Sequence, residues 1–280
     1  MTELNDEKEL DAVSDGEKTL AVEALKAFRD RDTKSTVVRL NQLRDKRPKD
    51  SKVLHNCLIA SSESSASLLT QLEELVSSLD CDEVDSCVIH INIALLHFRK
   101  QRFHHAQKLL ERFVHLVEPL GEGMYRDALL LYMETCLKLN YPERVPKLIA
   151  TLESLLFGRV STPRPGDSSP QENRDQVEQN LQWKPIVNQY RVRCLLALHS
   201  LKACKREVKN LNGEEKDRDD KESFGVVMSA FVRAQLEQQR DSGRKAIKIL
   251  NTLHGREVLG SRHLATLYYN DMAAIHFKAG

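Results

Sequence analysis

The residues of this 280-residue chain with the widest chemical range are its ten histidines and six cysteines. Two histidines are adjacent, His104 and His105, in the stretch QRFHHAQKLLERFVHLVEP at residues 101–119. Neighbouring residues on a helix point about 100° apart, so this pair does not offer the single face on which two helical metal ligands lie. We therefore predict that both rings are solvent-exposed and take no part in catalysis.

The cysteines also lack the spacing of a chemical site. They are scattered and form no CxxC pair, and they occur at Cys57, Cys81, Cys87, Cys136, Cys194 and Cys204. Without a secretory signal, such cysteines are expected to be reduced thiols that pack inside helices, with neither a disulfide framework nor a zinc site. Phosphate-binding loops, GxSxG and HExxH are missing from the sequence as well. The sequence therefore predicts no enzyme activity, no catalytic residue, no metal and no cofactor.

Composition and charge narrow the class of protein further. Charged residues make up 30% of the chain, aromatic residues 5%, and the net charge is +1, so the overall charge gives no reason to expect nucleic acid or a membrane as partner. The acidic start MTELNDEKELDAVSDGEK is unlike a signal or transit peptide, and no apolar run reaches the roughly 18 residues of a membrane helix. We expect a soluble intracellular protein that is mostly helical.

A helical repeat surrounds the histidine pair. Ile93 and Ala94 are a large–small pair, Ala106 follows Ala94 by twelve positions, Leu110 comes four later, and Pro119 closes the unit. This spacing is that of the tetratricopeptide repeat, in which small residues let two antiparallel helices approach closely. The stretch is therefore predicted to be the second helix of a repeat.

Parts of this spacing recur along the chain. The twelve-residue interval and the apolar residue four positions later are found at Ala24, Thr36 and Leu40, followed by Pro48, and at Ala234, Ala246 and Leu250. The four-residue step alone is found at Cys204 and Val208. In the first hairpin Leu20, Ala24, Ala27 and Phe28 form one stripe that is expected to pack. No alternating pattern typical of β-strands appears. The predicted fold is all-α, a right-handed α-solenoid of tetratricopeptide-like helical hairpins.

Changes of composition predict the domain limits. We expect a disordered N-terminus at 1–16, helical hairpins over 17–157, a flexible Gly-, Pro- and Ser-rich insertion at 158–180, and further repeats over 181–280. A charged loop is expected at 212–223. The last repeat stops after its first helix at Gly280, so the sequence predicts a truncated chain or a longer natural protein.

Two groups of residues are candidates for binding. First-helix positions line the concave surface of such a solenoid, so His90, His97 and Tyr269 are candidate partner contacts, although a packed histidine is the simpler interpretation. A possible basic patch for phosphate or an acidic partner consists of Lys202, Lys205, Arg206 and Lys209. A solvated helix face is the favoured interpretation of these lysines and this arginine, because no aromatic residues interleave with them.

Three segments in order, SLKACKREVKNL, RKAIKILN and AAIHF, resemble the subunit ten family of the CCR-NOT deadenylase complex, a family of tetratricopeptide proteins. The resemblance runs from about residue 17 to the end of the chain. It implies a non-catalytic scaffold or adaptor subunit that pairs with subunit eleven and attaches to the N-terminal part of the large scaffold subunit.

The resemblance also implies a cellular role. It points to mRNA deadenylation and decay, translational repression, RNA-mediated gene silencing and transcription regulation, in cytoplasm and nucleus. The family has no catalytic residues to carry over. The alternative that the residues themselves leave open is an RNA-binding helical repeat protein that uses the basic helix at 202–209.

Overall fold

The computed structural model describes residues 13–62, 64–78, 83–113, 121–157, 183–216, 224–253 and 262–279. Over these ranges the chain forms α-helices and one 3-10 turn, with no β-strand. The chain divides into two compact units, Met1–Ala128 and Leu129–Gly280. None of the helices in the described ranges is both long enough and apolar enough to span a bilayer.

The first unit consists of consecutive helices: α1 (Asp15–Arg29), α2 (Thr33–Lys46), α3 (Ser51–Ser61), α4 (Ser65–Ser78), α5 (Glu83–Arg99), α6 (Phe103–Phe113) and the start of α7 (Glu122–Lys138). From α1 to α6, each helix packs on the next one in the chain, and α3 also contacts α5. Packing against the nearest helices along the chain is typical of helical repeats.

The second unit follows the same rule. After the rest of α7 come a 3-10 turn (Pro142–Arg144), α8 (Val145–Phe157), α9 (Lys184–Ala197), α10 (Leu201–Lys216), α11 (Phe224–Gln239), α12 (Gly243–Asn251) and α13 (Arg262–Ala279). Helix α9 contacts α8, α10 and α11, and α11 contacts α12 and α13. Helices of one repeat therefore contact the equivalent helices of the next.

Five hairpin turns share one backbone geometry. In each, the first helix ends at a non-glycine residue with a left-handed φ: Arg31 (59°), Gln101 (59°), Asn140 (59°), His199 (53°) and Asp241 (56°). At the second of these turns, the N–H of Gln101 donates to the carbonyl of Phe98 and the N–H of Arg102 donates to that of His97, both at 2.9 Å. These two bonds define a Schellman motif, which satisfies carbonyls at the end of a helix.

In each hairpin, the closely packed residues lie at constant sequence offsets from the left-handed residue. Ala94 lies seven positions before Gln101 and Ala106 lies five after it, and both alanines are 0% exposed. The other four hairpins bury the residues at the same two offsets: Ala24 and Thr36, Met133 and Val145, Val192 and Cys204, Ala234 and Ala246. Close helix contact at these positions is what the twelve-residue interval predicted, and the predicted all-α class of tetratricopeptide-like hairpins is confirmed.

A polar network joins α7 to α9 inside the second unit. The Arg193 guanidinium donates to both carboxylate oxygens of Glu134, at 2.6 and 2.8 Å, and lies 5.2 Å from the ring centroid of Tyr190. Burial alone would raise the pKa of Glu134, but the hydrogen bonds and charge of Arg193 outweigh it, so the pKa lies below its ordinary value. This bidentate pair connects the first helices of two successive hairpins.

Several predicted boundaries differ from the structure. Helix α1 begins at Asp15, earlier than residue 17, because Ser14 caps it: the N–H of Ser14 donates to Glu17 at 2.7 Å and the Ser14 hydroxyl accepts from the N–H of Glu17. Helix α10 continues to Lys216, into the predicted loop. Residues 1–12, the predicted insertion at 158–180, Cys81 and Pro119 lie outside the described residues. The four-part domain division stays a prediction.

One core prediction is wrong. Phe28 was expected to pack with Leu20 and Ala24, yet its side chain is 59% exposed while Ala24 is 4% exposed. The helical period identifies a stripe, but α2 covers only the part of that stripe around Ala24. Phe28 instead lies at the rim of a cleft.

Candidate docking surfaces

Helix α5 carries two of the three candidate partner contacts. His90 is half-buried, and its Nδ1 lies 2.7 Å from the carbonyl oxygen of Ser86 on the preceding turn. His97 is only 6% exposed, and its Nε2 lies 3.6 Å from Oε1 of Glu73 on α4. The packed interpretation therefore describes His97 better than a surface contact does, because almost none of its ring is accessible.

The adjacent histidines of α6 are both exposed, as predicted. His105 stacks on His97 with ring centroids 5.3 Å apart, so it covers the buried ring from outside. Burial lowers the pKa of His97, a shift that the Glu73 carboxylate opposes and that His105 reinforces. The stack accordingly gives His97 a packing role, in which burial favours the uncharged form of its imidazole.

Tyr269 on α13 is the third candidate and lies in the second unit. Its ring is 56% exposed and packs edge-to-face against buried Tyr268, with centroids 5.2 Å apart. The side chain is therefore available to a partner. A partner contact at this residue stays a prediction.

The cysteines within the described residues are buried packing groups, as predicted. Cys204 stands at a small-residue position of the repeat, and burial raises its thiol pKa to about 11. Cys194 donates from Sγ to the carbonyl of Pro142 at 3.2 Å. Across the same described ranges, no three His, Cys, Asp or Glu side chains are grouped to hold a metal ion.

An apolar cleft of about 460 Å³ opens in the first unit between α1, α2 and α3. We call it the apolar cleft. Its rim carries Leu25 and Phe28, 49% and 59% exposed, and its opposite wall carries Val53 of α3. Buried Leu40 and Leu43 of α2 form the floor. Exposed apolar side chains over an apolar floor are typical of surfaces that bind protein.

Charged residues close one end of the apolar cleft. Arg47 donates from Nε to Glu17 at 3.1 Å and lies 3.6 Å from Asp50, and all three line the cleft. The pKa of Glu17 falls to about 2, mainly because its carboxylate accepts hydrogen bonds from Ser14 and then from Arg47. The carboxylate therefore stays ionised at physiological pH and keeps this end of the cleft polar.

The predicted basic helix is α10, which begins at Leu201 as expected. Lys202, Lys205 and Arg206 are exposed on it, and Arg206 lies 4.0 Å from Glu207. The side chain of Lys209 lies outside the described set. Of the described members of the patch, Lys205 lines a cleft between helices.

A second cleft, of about 470 Å³, lies between α10, α11 and α12, and we call it the basic cleft. Its cations come from three helices: Lys205 from α10, Arg233 from α11, and Lys245 and Lys248 from α12. The prediction from sequence missed the last three because they do not form a dense basic run. The RKAIKILN segment did place Lys245 and Lys248 three positions apart on one helix, which was the available signal.

Comparison with known proteins gives sequence relatives. CCR4-NOT transcription complex subunit 10-A of Xenopus laevis is 26% identical over 96% of this chain. CCR4-NOT transcription complex subunit 10 of Danio rerio is 32% identical over 35% of it. The chain spans 38% of the length of the Xenopus relative and 15% of that of the Danio relative.

No model of a known protein family matches the chain. Among solved structures, a tetratricopeptide repeat protein from Parabacteroides merdae has a TM-score of 0.45 and 12% identity, over 91% of this chain and 100% of that one. The Xenopus match runs through nearly the whole chain and agrees with the family that the sequence resembles. This chain is therefore similar in sequence to the subunit 10 proteins of the CCR4-NOT (CCR-NOT) transcription complex.

Proposed function

We propose that this chain is a non-catalytic scaffold or adaptor subunit of the CCR4-NOT deadenylase complex. The observation that carries the proposal is 26% identity to a subunit 10 protein sustained over 96% of the chain. Its role would be protein–protein assembly in mRNA deadenylation and decay, translational repression and gene-expression control. Consecutive helical hairpins suit such a role because they offer large surfaces for protein partners.

The proposed partners are subunit eleven and the N-terminal part of the large scaffold subunit, in cytoplasm and nucleus. The resemblance in sequence supports these partners, and the exposed apolar side chains of the first unit support protein binding in general. A few buried anchors dominate the affinity of most protein interfaces. Leu25 and Phe28 at the rim of the apolar cleft are suitable anchors, since a partner helix could bury both at once.

Affinity purification from cells tests the proposal. The tagged chain should recover subunit eleven and the large scaffold subunit, and Leu25→Asp with Phe28→Asp should reduce that recovery at least about tenfold. The matched control is Val22→Asp with Val38→Asp, because both valines are exposed, at 66% and 54%, and neither lines the cleft.

The outcomes separate the two parts of the proposal. Recovery of neither partner by the wild-type chain contradicts membership of the complex. Recovery that is equal for the wild type, the cleft variant and the control keeps membership but rejects the apolar cleft as the contact.

The second candidate function is direct RNA binding through the basic helix at 202–209. The exposure of Lys202, Lys205 and Arg206 favours it. It predicts that affinity for poly(A) falls steeply with salt and weakens on Lys205→Glu with Arg206→Glu. Absence of salt-dependent binding at micromolar RNA would eliminate it.

A further inference from the structure

We propose that the basic cleft is a docking site for an acidic protein segment that carries an aliphatic anchor residue. The site goes beyond the assembly role proposed above, because it lies in the second unit and uses other residues. The proposal rests on three properties of the described residues that line the cleft: their unbalanced charge, their apolar side chains and the lack of aromatic rings among them.

The charge of the cleft is unbalanced. Its described lining contains four cations, Lys205, Arg233, Lys245 and Lys248, and one carboxylate, Glu237, which gives a net charge of +3. Within the described part of the chain, none of the four cations forms an ion pair. An acidic ligand would therefore meet positive charge that no neighbouring side chain neutralises.

One oxygen of this carboxylate is already paired. Arg240, the residue that follows the end of α11, donates from Nη1 to Oε1 of Glu237 at 2.6 Å. The side chain of Glu237 is only 16% exposed, and its Oε2 is buried without a hydrogen-bond partner among the described residues. None of the four cleft cations forms an ion pair with this carboxylate in the described part of the chain.

The lining between the cations is aliphatic. Val208 and Leu236 are 7% and 3% exposed, and partly buried Ile249 lies beside them. A volume of about 470 Å³ accommodates a few side chains. A segment with acidic residues around a leucine or isoleucine would place its carboxylates against the cations and its aliphatic side chain on this lining.

The same lining disfavours RNA. Among the described residues that line the cleft there is no Phe, Tyr, Trp or His, whereas single-stranded RNA is bound by stacking its bases on such rings. Phosphate contacts alone would give charge-driven binding without an anchor. We therefore commit to a protein segment as the occupant.

Fluorescence anisotropy with the purified chain tests the site in the absence of any other subunit. The probe is a fluorescein-labelled peptide, EEDLEEDLEE, with EEDGEEDGEE as the matched peptide that lacks leucine. We expect saturable micromolar binding of the leucine peptide, and binding of the glycine peptide at least about tenfold weaker. A poly(A) decamer serves as the anionic competitor.

Variants of the chain locate the binding. Lys245→Glu with Lys248→Glu should weaken binding of the leucine peptide at least about tenfold. The control, Lys202→Glu with Arg206→Glu, changes the net charge equally at exposed positions outside the cleft and should weaken it less than about threefold. All four side chains are exposed, so circular dichroism should show unchanged folding for both variants.

The proposal is overturned by any of four results: no binding of the leucine peptide, equal binding of the glycine peptide, equal loss in the two charge-reversal variants, or poly(A) that binds the cleft more tightly than the peptide. Because the assay contains only the purified chain, these results are independent of whether the chain joins the CCR4-NOT complex.

Discussion

The left-handed turn residues make a sharp prediction about stability. Gln101 has a φ of 59° and ends α5 in a Schellman motif, although it carries a Cβ atom. Its side chain is exposed, so replacing it by glycine removes little packing. We therefore expect Gln101→Gly to stabilise the protein.

The magnitude follows from two opposing effects. A left-handed backbone costs a residue with a Cβ atom about 1–2 kcal/mol, and glycine avoids this cost. Glycine loses more backbone entropy on folding, which costs about 0.5–1 kcal/mol. The expected net gain in the free energy of unfolding is about 0.5–1 kcal/mol.

Urea denaturation followed by far-UV circular dichroism measures this change. The control is Arg99→Gly, two positions earlier, where the exposed arginine is still inside α5. Glycine within a helix should lower the free energy of unfolding by about 0.5–1 kcal/mol. The two variants should thus shift the midpoint in opposite directions, and an equal loss in both would refute the proposed turn geometry.

Three other substitutions, the first with a matched control, test the packing and the ion pairs. Ala106→Leu should lower the free energy of unfolding by about 1–3 kcal/mol because its site is 0% exposed, whereas His104→Leu at an exposed site should change it by less than about 0.5 kcal/mol in the same urea titration. The lowered pKa of Glu134 means that its ionised form stabilises the fold above the ordinary carboxyl pKa of 4.5 and that this stabilisation is lost as the pH falls through the folded pKa. Glu134→Gln should therefore flatten the loss of stability below about pH 4.5, and an unchanged acid profile would mean that the bond to Arg193 contributes nothing. The lowered pKa of His97 predicts a stabilisation that is present above the ordinary value of 6.5 and is lost as the pH falls through the folded pKa. His97→Gln should reduce this dependence of stability on pH in thermal unfolding measured from pH 8 to 5.

The hairpin packing was predictable because it depends on local properties of the sequence. The twelve-residue interval between Ala94 and Ala106 requires only residue size and helical period, and both side chains are fully buried. The position of Leu110, 1% exposed, followed from the same period. The exposure of His104 and His105 was predicted for the same reason.

Other features depend on contacts that the sequence does not display. The left-handed turns were missed because none of their residues is glycine, the usual signal for that backbone. Phe28 was assigned to the core because periodicity identifies a face without showing what covers it. Lys205 was identified within a basic run, whereas Arg233 and Lys245 join it only because three helices pack together.

Cross-linking mass spectrometry of the assembled CCR4-NOT complex tests the proposed docking role most directly. Lys26 follows Leu25 on α1, and Lys52 lines the apolar cleft, so both report on the proposed contact. The proposed role predicts cross-links from these two lysines to another subunit of the complex. A complex that contains the chain but gives cross-links only from lysines far from the cleft would contradict the proposed docking surface, and a complex from which the chain is absent would contradict the proposed function itself.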